Sequence, residues 1–170
     1  PIWRRHADVA QVQRRVALPY VLEEMRSGDS ARRFWATFLV TELPYAEAIP
    51  SFVPRFHDAD ARVRGVARAA ARALPDGARE TLVTECARSL RDPKASRGVR
   101  LGILDALSDL REATSVPILV RSLGEEDSEV QMASRRALIA ITKQDFALDQ
   151  KRWLSWWGES SSRHRVEWLI

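Results

Sequence analysis

A chain that repeats itself every thirty-odd residues does not close one core around itself; each unit buries its apolar face against the next. The stretch 49–74, IPSFVPRFHDADARVRGVARAAARAL, carries the pattern. It reads as an apolar helix opening on Pro50, a polar turn His57-Asp58-Ala59-Asp60, and a second helix of small residues and arginines. Moved back by 31 residues, Pro50 falls on Pro19, Asp60 on Asp29, Arg64 on Arg33 and Leu74 on Leu43. Moved forward by 67, Pro50 falls on Pro117, Phe56 on Leu123, Asp60 on Asp127 and Val63 on Val130. A period of 31 to 36 residues built from helix pairs predicts an all-α chain, an α-solenoid.

The 170 residues are expected to form a single domain, with repeats at about 14–44, 45–75, 76–111 and 112–141 and a C-terminal cap over 142–170. In the first repeat Val16, Leu18, Val21, Leu22 and Met25 share a stripe, and Asp29 or Ser30 caps a second helix filled by Phe34, Trp35, Phe38, Leu39 and Leu43, ending before Pro44. These bulky side chains are expected to pack the end of the stack. Later second helices place Val63, Ala67, Ala70 and Leu74, then Val99, Ile103, Ala106 and Leu110, then Val130, Ser134, Ala137, Leu138 and Ile141 inward. First helices offer Leu82, Val83, Cys86, Ala87 and Leu90, and then Val116, Ile118, Leu119 and Leu123. Residues 1–13 hold Trp3, His6 and a candidate cap, Asp8. At the other end Asp149 caps a helix with Trp153, Trp156 and Trp157 on one face, expected to cover the second helix of repeat four. Gly158 to Ser162 is read as its break, and Val166, Trp168, Leu169 and Ile170 as the start of another stripe.

Composition sets outer bounds. Apolar residues make up 45% and charged ones 29%, ordinary for a globular domain. One cysteine, Cys86, rules out an internal disulfide framework and fits the reducing cytoplasm, the expected location. No apolar run reaches the roughly 20 residues that span a bilayer, and no signal peptide is visible. The missing initial methionine and the ending Trp168-Leu169-Ile170 suggest a piece of something longer.

The apolar-proline helix, the turn aspartate and the Val-Arg opening of the second helix resemble HEAT repeats. The likeness is to the short bacterial type related to the phycobilisome-lyase HEAT-like group. It rests on Pro19, Pro50 and Pro117, on Asp29, Asp60 and Asp127, and on Val63-Arg64 and Val99-Arg100. Thr84 replaces the proline in repeat three, Arg32 the valine in repeat one, and Gln131 the arginine in repeat four. Gln144-Asp145-Phe146, Asp149 and Trp153-Leu154-Ser155-Trp156-Trp157 look like a closing motif of bacterial HEAT proteins. The resemblance implies a right-handed superhelix of about four helix pairs, first helices convex and second helices concave. By fold-level analogy it also implies a scaffold that binds a partner.

Nothing in the sequence marks an enzyme or a cofactor. HExxH, P-loop, GxSxG and CxxC patterns are missing, and His6, His57 and His164 stand far apart. The plainer readings are a solvated turn for His57 and a buried inert thiol for Cys86. The net charge of +4 rests on 24 arginines and three lysines, so the cationic side chains are mostly bidentate forks suited to carboxylates and phosphates. Asp29, Asp60 and Asp127 are expected to pair with the recurring Arg33, Arg64 and Arg100 in a ladder along the stack. Arg68, Arg72 and Arg135 recur at no repeat position, and Arg68 and Arg72 show no intrachain partner in the sequence. The expected function is therefore a non-enzymatic scaffold whose concave face, with Arg33, Arg64, Arg68, Arg72, Arg100 and Arg135, binds an acidic segment of a protein partner. The alternative is nucleic-acid backbone binding by the same arginines. A third is lyase or DNA glycosylase activity, the latter drawing on Trp35, Asp105 and Asp109.

Overall fold

The computed structural model describes residues 16–42, 46–163 and 167–168. The expectations for Trp3, His6, Asp8, Leu43, Pro44, His164, Val166, Leu169 and Ile170 lie outside these residues. The described chain is all-helical, with no strand among its residues. Residues 16–24 are helical (α1). They are followed by α2 (Ser30–Glu42), α3 (Ile49–Phe52), α4 (Ala61–Ala73), α5 (Asp76–Arg91), α6 (Arg97–Leu110), α7 (Val116–Ser122), α8 (Ser128–Thr142) and α9 (Gln150–Ser160). Among the described residues no helix is long and apolar enough to cross a membrane.

Even-numbered helices pack in succession, α2 on α4, α4 on α6 and α6 on α8. Odd-numbered ones neighbour each other on the other side, with α3 against α5 and α7 against α9. Buried residues from Met25 to Trp153 join into one connected core. Small side chains make this possible in α4, where Val63, Ala67, Ala70 and Ala71 are buried.

Local chemistry sets the helix starts. Asp60, Ser96, Asp127 and Asp149 each accept a backbone N–H of the first turn that follows, meeting donors the helix leaves open. The helix expected to open on Pro50 is not continuous. It begins as a 3₁₀ turn (Ala46–Ala48), runs as α3 for four residues and tightens into a second 3₁₀ segment, Val53–His57. Pro54 has no N–H to give and crowds the carbonyl four residues back, which ends the α geometry there.

Three further expectations are corrected. In α2 the buried residues are Ala36, Thr37 and Val40, while Trp35 is 61% exposed and Phe38 and Leu39 are exposed too. The inward face is thus one step away from the aromatic run, because Arg33 takes the position beside the turn and sets the rotation of the helix. Gly158 does not break α9, which continues to Ser160; one glycine costs a helix only about 1 kcal/mol. And α9 packs mainly against α7, the first helix of repeat four, more than against α8. Trp153 is buried there, whereas Trp156 and Trp157 are half-buried beside Trp168.

Gly102 shows how tightly α6 seats on the 3₁₀ segment. A Cβ at this position would stand 2.5 Å from the Phe56 carbonyl oxygen and 2.8 Å from its carbon. Backbone on both sides cannot yield as a flexible side chain would. Gly102→Ala is expected to cost about 1–3 kcal/mol, the ordinary range for overpacking. Urea denaturation checks it, and an unchanged midpoint would show that α6 does not seat here.

Candidate functional site

The arginines of the sequence pattern divide into two groups. Arg33, Arg64 and Arg100 are each the fourth residue of their helix. Each reaches back to the carbonyls of the turn before it. Arg33 Nη1 donates to the Ser27 and Gly28 oxygens, both at 2.9 Å, and Arg64 Nη1 to those of Asp58 at 2.7 Å and Ala59 at 3.1 Å. Arg100 donates to the carbonyls of Leu90, Asp92 and Ala95 at 3.0 to 3.2 Å. Gln131 holds the same position in α8 and donates to the Glu125 carbonyl at 2.7 Å. The substitution that departs from the repeat pattern therefore keeps its task.

The recurring Arg33 and Arg100 pair with other carboxylates than those expected. Asp29, Asp60 and Asp127 each use one oxygen on the N–H groups of Ala31, Arg62 and Glu129, at 2.7 to 2.9 Å, as N-caps, and Asp127 also accepts from Arg97 Nε at 2.6 Å, from α6 to the start of α8. Arg33 instead forms a bidentate pair with Asp58, both bonds 2.8 Å, and Arg100 meets Glu125 at 3.1 Å. Both pairs span 25 residues, from one second helix to the next turn. Asp58 and Glu125 each stand two residues before a helix cap, and the residue two before the Ser96 cap is Lys94, so the rung of Arg64 has no acid.

Arg68 and Arg72 were expected to be without intrachain partners, and the structure corrects this; Arg135, expected on the binding face, is paired as well. Arg68 lies 3.4 Å from Asp109 and 3.9 Å from Asp105, and Arg72 donates to Asp109 at 3.2 Å. Arg135 is held by Asp145 through bonds of 2.9 and 2.5 Å, which raises its pKa and lowers that of the aspartate. The reason is the repeat itself. Arg64 aligns with Arg100 at 36 residues, so side chains 37 apart, Arg68 with Asp105 and Arg72 with Asp109, face each other across the α4–α6 seam. The period is in the sequence; that it also serves as a charge-pairing distance shows only in the packing of α4 on α6. These contacts are looser than the Arg33–Asp58 pair, and their side chains remain a third to a half exposed.

The enzyme-like groupings do not come together. Asp105 and Asp109 sit on α6, while Trp35 lies on α2, with α4 between them. Cys86 is buried, and burial together with Glu85 pushes its thiol up to about 12, so it carries no thiolate at neutral pH. Among the described residues no group of three or more His, Cys, Asp and Glu side chains could hold a metal ion.

His57 is not the solvated turn residue expected. It is half-buried, and burial and the charge of Arg55 lower its pKa. It adjoins a cluster that sequence reasoning missed, in which Asp58 is shared by Arg33 and Arg55. Arg55 falls in the middle of the 3₁₀ segment, outside the helix positions that recur from unit to unit. No family model matches this chain, and no curated protein matches it.

Proposed function

We propose that the chain is a HEAT-type α-solenoid, a right-handed superhelix that serves in the cytoplasm as a non-enzymatic scaffold. Its concave face, formed by α2, α4, α6 and α8, takes an acidic segment of a protein partner. The succession α2–α4–α6–α8 with α3–α5 and α7–α9 beside it supports the architecture. Arg33, Arg64 and Arg100 are occupied with the turns and serve the fold. Partner binding falls to Arg68 and Arg72, with Arg135 further along the same face.

The observation that carries this reading is the loose pairing on the α4–α6 seam. Arg68 stands 3.4 and 3.9 Å from two aspartates and Arg72 is half-exposed. Exposed pairs of this kind are worth about 0–1 kcal/mol, so carboxylates of a partner can replace Asp105 and Asp109 at little cost. The aspartates then act as internal competitors, and they discriminate against ligands that offer charge without shape.

Two variants test it with a labelled glutamate-rich peptide by fluorescence anisotropy. Arg68→Glu with Arg72→Glu should weaken binding at least tenfold and leave the helical circular dichroism signal intact. Asp109→Asn, which frees Arg72 and leaves Arg68 only its 3.9 Å contact with Asp105, should strengthen binding severalfold. Unchanged affinity in both would refute the assignment. Tighter binding of duplex DNA than of the peptide, falling steeply with salt through counterion release, would transfer the face to nucleic acid.

A further inference from the structure

The cluster around Asp58 is short of negative charge. Its carboxylate is only 3% exposed and is saturated, accepting two bonds from Arg33, one from Arg55 Nη1 at 2.8 Å and one from the Asp60 N–H at 3.0 Å. One aspartate thus serves two guanidiniums that are themselves only 13% and 14% exposed. Arg55 suffers from this. Its Nε is buried with no hydrogen-bond partner, and burial, with the charge of Arg33, lowers its pKa.

The surroundings do not restore the balance. Asp60 is taken by Arg62 and Asp29 by the start of α2, while Arg64 adds another cation against the Asp58 carbonyl. Arg26 is exposed, with no ion pair among the described residues, and lines the same shallow pocket of about 300 Å³ as Arg55, His57 and Asp58. Arginines 26, 33, 55, 62 and 64 against aspartates 29, 58 and 60 leave two positive charges. His57 adds none, since it is neutral near pH 7.

We infer that this pocket binds a phosphate group, held between Arg55 and Arg26. A dianion matches the two uncompensated charges. Its oxygens accept from guanidinium donors that Asp58, already saturated, cannot serve, and planar forks bind such oxygens in pairs. The site lies at the turn between α3 and α4, apart from the α4–α6 seam, so its fate is independent of the acidic-peptide face.

Titration calorimetry with inorganic phosphate, at constant ionic strength held with chloride, tests the inference. The wild-type chain should show saturable binding with one site. Arg26→Gln, at an exposed position, should keep the melting temperature in phosphate-free buffer and weaken binding at least tenfold. Arg55→Gln should abolish it; if that variant fails to fold, Arg26→Gln alone decides. O-phosphoserine run beside inorganic phosphate separates the sources, since tighter binding of the ester assigns the pocket to a phosphorylated side chain and equal or weaker binding to the free anion. Absence of saturable binding of either ligand, or wild-type affinity in Arg26→Gln, overturns the proposal.

Discussion

Replacing Trp153 with alanine is expected to lower the free energy of unfolding by about 3–5 kcal/mol, the range for large aromatic side chains removed from a core. Trp153 is completely buried. Its ring stands 4.9 Å from Phe146 and 6.1 Å from Trp156, both edge to face, and its Nε1 donates to the Ala147 carbonyl at 3.1 Å. Truncation therefore leaves a cavity and an unmatched carbonyl together. Trp157, half-buried on the same helix, should cost only roughly 1–2 kcal/mol when truncated. Guanidinium denaturation of the two variants gives the comparison. Equal, small effects would mean that α9 does not close the core.

Asp58→Asn should be comparably damaging, at about 3–5 kcal/mol, because it removes the one carboxylate between two nearly buried guanidiniums. Asparagine keeps the shape but must turn an NH₂ donor toward arginine donors. The same group makes a pH signature. Burial pushes the Asp58 carboxyl up, but the hydrogen bonds from Arg33 and the Asp60 N–H, with the charges of Arg33 and Arg55, outweigh it and hold the pKa below its usual 3.8. A folded-state pKa below the unfolded one means the pair contributes fully above the ordinary aspartate range. Its contribution is lost as pH falls through the lower folded value. Wild type and Asp58→Asn should therefore differ most near neutral pH and converge in strong acid. A gap that stayed constant from pH 7 to pH 2 would show that the charge is not the stabilising feature.

Residues whose role is set by local spacing were legible before any coordinates. Asp29 and Asp149 announce helix starts because a short side-chain oxygen just before a helix meets its open N–H groups, whatever packs around it. Val63, Ala67 and Ala70 announce a buried face because helical periodicity alone puts them on one side. Helix ends were less legible. Both α6 and α8 stop on a left-handed residue, Arg111 and Lys143, where glycine would have been the usual sign.

The sequence by itself determined an all-helical chain, the places where most helices begin, and the inward faces of α4, α5, α6 and α8, since these depend on neighbours within a turn or two. Only the tertiary structure decided which charges meet. Arg68 and Arg72 looked unpaired because their partners lie 37 residues on, and Asp58 looked like a turn residue because Arg33 comes to it from the preceding helix. The position of α9 on α7 and the close seat of Gly102 on Phe56 were decided there as well. Helix rotation and the offset between neighbouring units set all four.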